Sequence, residues 1–130
     1  MRALVIDDSR VARTVIRGVL REMGIEAVEA GDGRAGLDAL LATPDVDLVL
    51  VDWNMPVMDG LEFIKAVRGR SEFDAVKLVM VTTETESEQV ARAMNAGANE
   101  YVMKPFTKEI LLEKLEMVGI RPVKSTACPY

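Results

Sequence analysis

The chain has 130 residues, a net charge of −5, one Cys and no His, and its 49% hydrophobic and 28% charged residues suit a single globular domain in water. No apolar run approaches the ~20 residues of a membrane span, no secretory leader pattern follows Met1, and the acidic balance disfavours nucleic acid. A lone Cys makes neither an internal disulfide nor a zinc site and fits a reducing cytoplasm, while the lack of His removes His-based triads and most transition-metal chemistry.

Ala3 to Ile6 reads as a strand and stops at Asp7-Asp8. Ser9 caps a helix whose apolar stripe is Val11, Val15, Val19, Leu20 and Met23, ended by Gly24. Ala27 to Ala30 is a second, more polar strand. Gly31 to Gly33 then turns the chain into a helix carrying Leu37, Leu40 and Leu41, which stops before Pro44. Leu48 to Val51 is the most apolar run and halts at Asp52. Gly60 starts a helix with Leu61, Ile64 and Val67 inward. Leu78 to Val81 is a strand ending at Thr82-Thr83, and Val90, Ala93 and Met94 share a helical face that Gly97 ends. Tyr101 to Met103 stops at Lys104-Pro105, and Thr107 caps a last helix with Leu111, Leu115 and Val118 on one side. Met23, Met80, Met94 and Met103 are assigned to the core.

Alternation of this kind predicts an α/β fold with a mostly parallel sheet and helices on both faces. The continuous apolar runs of the first, third and fourth strands predict burial on both sides. Residues 1–118 form the domain. Residues 119–130 hold Pro122, Cys128 and Pro129 without periodicity and read as a flexible tail or the start of a linker.

The polar residues are placed systematically. Asp7-Asp8, Asp52, Thr82-Thr83 and Lys104 each follow a strand, and in a parallel sheet those ends share one edge, where ligands bind. Each alone has a plain structural reading, such as a helix cap or a solvated loop residue. Together, three carboxylates, a hydroxyl and an ammonium form a charged crevice. Crowded carboxylates raise a pKa unless a cation joins them, and an all-oxygen set suits Mg²⁺. A carboxylate beside a metal, a Lys and a Thr suits phosphoryl transfer, and can itself be the nucleophile.

Five ordered segments carry a resemblance: Asp7-Asp8-Ser9-Arg10, Val51 to Pro56 with Met58-Asp59-Gly60, Val81 to Glu84, Asn95 to Ala98, and Tyr101 to Phe106. They resemble the receiver domain of two-component response regulators over residues 1 to about 118. Trp53 to Pro56 and the Tyr101 segment are most similar to the single-domain chemotaxis members. The resemblance implies a flavodoxin-like, doubly wound, five-stranded parallel sheet of order 2-1-3-4-5 with five helices. It implies that Asp52 accepts a phosphoryl group from a phosphohistidine on a sensor histidine kinase or phosphotransfer domain. Mg²⁺ is the implied cofactor, bound directly by Asp8, Asp52 and the Asn54 backbone carbonyl, with Asp7 acting through water. Lys104 pairs with the phosphoryl oxygens, Thr82 and Tyr101 form the switch, and Pro105 matches the family's cis-peptide position. Asn54 and Glu84 tune the lifetime of the phosphoform, and the bulk of Thr83 narrows access to it. The face of the fourth helix, fifth strand and fifth helix changes on activation; Glu84, Glu86, Ser87, Glu88 and Gln89 make that fourth helix a weakly anchored part.

The implied output is binding to a protein such as a flagellar motor switch component. The implied protein is a cytoplasmic monomer that engages neither nucleic acid nor membrane. It is a signalling switch rather than a metabolic enzyme, contributing only to its own phosphorylation and dephosphorylation. The competing reading is a single-domain receiver in another phosphorelay, or a receiver fragment of a larger regulator. Arg10, Arg13, Arg17 and Arg21 recur at steps of three and four on the first helix. They are either a solvated face or a docking stripe for an acidic phosphodonor.

Two further patterns are weaker. Gly31-Asp32-Gly33-Arg34-Ala35-Gly36 matches G-x-G-x-x-G, with Asp52 about 20 residues on, as in dinucleotide-binding turns. Asp32 would repel phosphates there, and the strand before it carries Glu26 and Glu29, so a tight turn into the helix is the better reading. An Asp-nucleophile phosphatase would need a second acid two residues after Asp52, where Asn54 stands.

Overall fold

The computed structural model describes residues 1–83 and 87–120. Strands and helices alternate as β1 (Arg2–Ile6), α1 (Arg10–Glu22), β2 (Glu26–Ala30), α2 (Gly33–Ala42), β3 (Val46–Val51), α3 (Gly60–Arg68), β4 (Lys77–Thr82), α4 (Ser87–Ala96), β5 (Glu100–Met103) and α5 (Lys108–Met117). A 3₁₀ turn at Ser71–Phe73, absent from the sequence reading, buries Phe73 between α3 and β4. All strand pairs are parallel, in the order β2-β1-β3-β4-β5. This is the flavodoxin-like topology. No described helix is long and apolar enough to cross a membrane.

Strand parity sorts the core into two layers. Leu4, Ile6, Val49, Val51, Leu78, Met80 and Tyr101 pack into the layer that includes Leu40 of α2, Phe63 of α3 and Ala93 of α4. Ala3, Val5, Leu48, Leu50, Val79, Val81 and Val102 pack with Ile16 and Leu20 of α1 and Leu111 and Leu115 of α5. Thr82 has the parity of Met80, so it shares the α4 side with Tyr101 on the neighbouring strand, where Met80 is the register partner of Tyr101.

Helix starts follow local chemistry. Ser9, Asp32, Asp59 and Thr107 each accept a hydrogen bond from a backbone N–H in the first turn, and Asp59 with Glu62 completes a capping box. Two expectations for α1 change. Val11 is 73% exposed and Val15 is also exposed, while Ile16 is buried, so the inward stripe is Ile16, Val19, Leu20 and Met23. Six apolar side chains on one helix allow two phases, and the sheet selects the one with i, i+3, i+4, i+7 spacing. Met94 and Met103, expected in the core, are exposed, whereas Met23 and Met80 are buried. The end of the domain also moves. Ile120, placed in the tail by its sequence context, is 5% exposed, packs in the α1–α5 layer, and donates its N–H to Leu115. Gly119 makes the turn with φ +89°. The rest of the expected tail, including Cys128, lies outside the described residues.

Arg68 braces the edge opposite the strand ends. Its guanidinium donates to the carbonyls of Gly97, Phe73 and Val76 and to the Asn99 side chain. Asn99 in turn accepts from the Leu78 N–H, so α3, β4 and the α4–β5 turn are joined there. Burial pushes the Arg68 pKa down, against the opposing charge of Asp74.

Candidate functional site

The carboxyl ends of β1, β3, β4 and β5 bring together Asp7, Asp8, Asp52, Thr82 and Lys104. Oxygen atoms of Asp7, Asp8 and Asp52 lie within 4.8 Å of one another, with Asp7 and Asp52 buried and Asp8 exposed. Asp7 is 1% exposed and fully engaged: one oxygen accepts from the Ser9 N–H at 2.8 Å, the other from Lys104 Nζ at 2.6 Å. Lys104 Nζ also reaches Asp52 Oδ2 at 3.4 Å. The other Asp52 oxygen, Oδ1, accepts from the Trp53 N–H at 2.7 Å. Thr82, fully buried, hydrogen-bonds the same carboxylate.

Electrostatics follow from that packing. Burial raises the Asp52 pKa; Lys104 pulls it back, the Asp7 charge adds to the rise, and the bonds from Thr82 and Trp53 oppose it. Burial alone would lower the Lys104 pKa, but the Asp7 hydrogen bond and the charges of Asp52 and Asp7 overcome this and raise it. One ammonium therefore faces an excess of negative charge. An all-oxygen, three-carboxylate pocket with one exposed member fits a hard divalent cation. Asp7 is the most buried of the three and holds Lys104 Nζ at 2.6 Å, against 3.4 Å for Asp52, which leaves Asp8 and Asp52 as the freer direct ligands.

Two glycines let the backbone close around the site. A Cβ on Gly60 would stand 2.2 Å from the Asp52 carbonyl oxygen, so α3 can start against β3 only with glycine there. A Cβ on Gly33 would stand 2.4 Å from the Met58 carbonyl oxygen, which accepts the Gly33 N–H. The G-x-G-x-x-G turn thus docks α2 onto the β3–α3 loop, and Asp32 caps the helix.

The same loop holds Val57 at φ +69°, 81% exposed, between Pro56 and a Met58 N–H that bonds back to the Pro56 carbonyl. A β-branched residue there is strained. Val57→Gly, which lacks the Cβ that makes this conformation costly, is expected to raise stability by about 1 kcal/mol in urea unfolding. An unchanged midpoint would mean the turn stores no strain.

The two residues expected to form the switch lie inward. Tyr101 is 5% exposed, and Thr82 already contacts Asp52. The Arg92 guanidinium of α4 lies over the Trp53 ring, 5.9 Å from its centroid, and links that helix to the residue after Asp52. Lys104–Pro105 is the cis peptide. Asn54 is exposed in the β3–α3 loop, and Thr83 is exposed after β4. Glu84, assigned to lifetime tuning, lies outside the described residues.

The arginine stripe is not one surface. Arg10 and Arg21 are exposed, but Arg13 Nε and Arg17 Nη1 clasp the two oxygens of Glu29 on β2, at 2.8 and 2.5 Å. Arg13 and Arg17, expected with Arg10 to meet a phosphodonor, also tie α1 to β2 through Glu29, and Arg17 keeps 40% of its side chain exposed. Spacing along α1 could not show this, since the acid comes from another segment. The amides of Ser9 and Trp53 were likewise missed: backbone donors leave no mark in sequence.

Residues 3–116 match the response regulator receiver domain model, and the chain belongs to that family. It is a phosphorylation-activated switch of two-component signalling. Among its relatives, the chemotaxis protein CheY1 of Helicobacter pylori is 43% identical over 119 residues, spanning 91% of this chain and 96% of that protein. The chemotaxis protein CheY of Pseudomonas aeruginosa is 38% identical, spanning 91% and 95%. The solved structure of the chemotaxis response regulator CheY4 of Vibrio cholerae is similar at a TM-score of 0.84 and 38% identity, covering 90% of this chain and 97% of that one.

Proposed function

We propose that this chain is a chemotaxis switch in which Asp52 receives a phosphoryl group from a phosphohistidine of a sensor kinase or phosphotransfer domain. The carrying observation is the Asp7–Asp8–Asp52 cluster with Lys104 Nζ 3.4 Å from Asp52. An Asp52 oxygen attacks the phosphorus, the phosphorus–nitrogen bond breaks, and the imidazole leaves; water later cleaves the acyl phosphate. Lys104 meets one phosphoryl oxygen and the Thr82 hydroxyl donates to another. Asp8, Asp52 and the Asn54 carbonyl would hold Mg²⁺, with Asp7 acting through water; when bound, the ion neutralises charge on the transferred group. Asn54 and Glu84 set the access of water, and hence the lifetime.

Output passes through the α4 side, where Thr82 and Tyr101 share a layer with Ala93 of α4. The names of the relatives support a role in chemotaxis, and the partner proposed for that role is a protein such as a flagellar motor switch component. The protein works in the cytoplasm as a monomer, without nucleic acid or membrane, and catalyses no reaction beyond its own phosphorylation and dephosphorylation. Arg10, exposed at the start of α1, remains available to meet an acidic phosphodonor.

The test uses Trp53, the sole Trp, which adjoins Asp52 and is buried. Its fluorescence is expected to change with Mg²⁺, and again with beryllofluoride. Affinity for a purified motor switch protein should rise at least about tenfold in the beryllofluoride form. Unchanged fluorescence would remove the cation-and-phosphoryl site. A response without any gain in affinity would redirect the protein to another phosphorelay.

A further inference from the structure

The Arg13–Glu29 pair sits behind the acid cluster. Arg13 Nη1 donates to the Asp7 backbone carbonyl at 2.5 Å while its Nε is held by Glu29 at 2.8 Å. The same peptide segment is fixed from its other end, where the Asp7 N–H donates to the Ala30 carbonyl at 3.1 Å. That carbonyl belongs to the peptide unit leading into Asp8, the exposed member of the three carboxylates. Arg17 meets the second oxygen of Glu29 and keeps the acid from turning away. The two arginines hold the Glu29 pKa down, led by the Arg13 hydrogen bond, so the acid stays charged in its clasp. All three side chains lie outside the cluster.

We propose that Arg13, locked by Glu29, is a positioning residue for the cation site: its bond to the Asp7 carbonyl sets the peptide that aims Asp8. The inference rests on the cation-site reading above. It makes a prediction opposite in sign to simple electrostatics. A guanidinium near three carboxylates repels a divalent cation, so its removal should tighten Mg²⁺ binding if charge were its whole effect. If its effect is to hold the ligand peptide, removal loosens binding, as loss of an outer-sphere partner does.

The experiment is Mg²⁺ titration of the full chain by calorimetry, with Arg13→Met, Arg13→Lys and Glu29→Gln alongside the parent. Arg13→Met is expected to weaken binding about tenfold. Arg13→Lys should weaken it too, because one ammonium lacks the fork that reaches Glu29 and the carbonyl together. Glu29→Gln should weaken it less, with Arg13 intact but unbraced. Circular dichroism and urea midpoints in EDTA establish folding; if Arg13→Met fails to fold, the Lys and Gln variants decide. Label uptake from acetyl phosphate and from a kinase should both fall at limiting Mg²⁺ and both recover at saturating Mg²⁺, which a docking defect would not do. Equal or tighter Mg²⁺ binding in the folded variants overturns the inference while leaving the site reading intact. A parent that binds no Mg²⁺ overturns both.

Discussion

Asp52→Asn is expected to lower phosphoryl uptake from any donor at least about a thousandfold, measured as radiolabel on the protein after incubation with a phosphorylated kinase or acetyl phosphate. The amide keeps the shape of the side chain and its bond with the Trp53 N–H, but it has no anionic oxygen to attack phosphorus. Neighbouring acids are poor substitutes. Asp7 is 1% exposed and is held by Lys104 at 2.6 Å, closer than the 3.4 Å that separates Lys104 from Asp52. Undiminished uptake would mean that another side chain is the acceptor. The same variant has an effect on stability. The folded-state pKa of Asp52 is raised, chiefly by burial, so folding favours its protonated form. That stabilisation is complete below the ordinary aspartate value and is lost as pH rises through the elevated one. At neutral pH without metal, the Asn variant should therefore be more stable than the parent by about 1 kcal/mol, and the gap should close in acid.

Lys104→Met is the second large effect. The lysine is four-fifths buried and is the ammonium that faces both Asp7 and Asp52. Removing it leaves two buried carboxylates against each other, and breaking such a pair costs about 3 kcal/mol. The loss should appear in urea unfolding with EDTA and shrink when Mg²⁺ is added, since a cation can take over the neutralising role. The Lys104 pKa is raised, so its contribution is whole below the ordinary lysine value and fades only as pH climbs through the elevated one. The deficit is therefore undiminished at neutral pH. A variant as stable as the parent in EDTA would show that the acids protonate instead of repelling.

What could be read from sequence was whatever obeys local rules. The alternation of strands and helices, the caps at Ser9 and Thr107, and the positions of Asp7, Asp52, Thr82 and Lys104 after strands all follow from patterns within a few residues. Order of the strands came from resemblance, because parity and hydropathy do not rank neighbours in a sheet. Three features escaped for physical reasons. The phase of α1 was ambiguous until the sheet selected Ile16 over Val11 and Val15. Arg13 and Arg17 looked like a free stripe because Glu29 joins them only after β2 pairs with β1. Ile120 looked like tail because nothing periodic follows it, yet one apolar side chain past a glycine turn is enough to seal the α1–α5 layer.

Asp7, Asp52 and Lys104 stand near the beginning, middle and end of the domain, and the ammonium arrives with the last strand. A chain still emerging from the ribosome, with only its first half released, therefore holds its acids without their counterion. The charge balance of the pocket thus rests on a contact between groups 97 residues apart, so it exists only when the first and last strands are both in place.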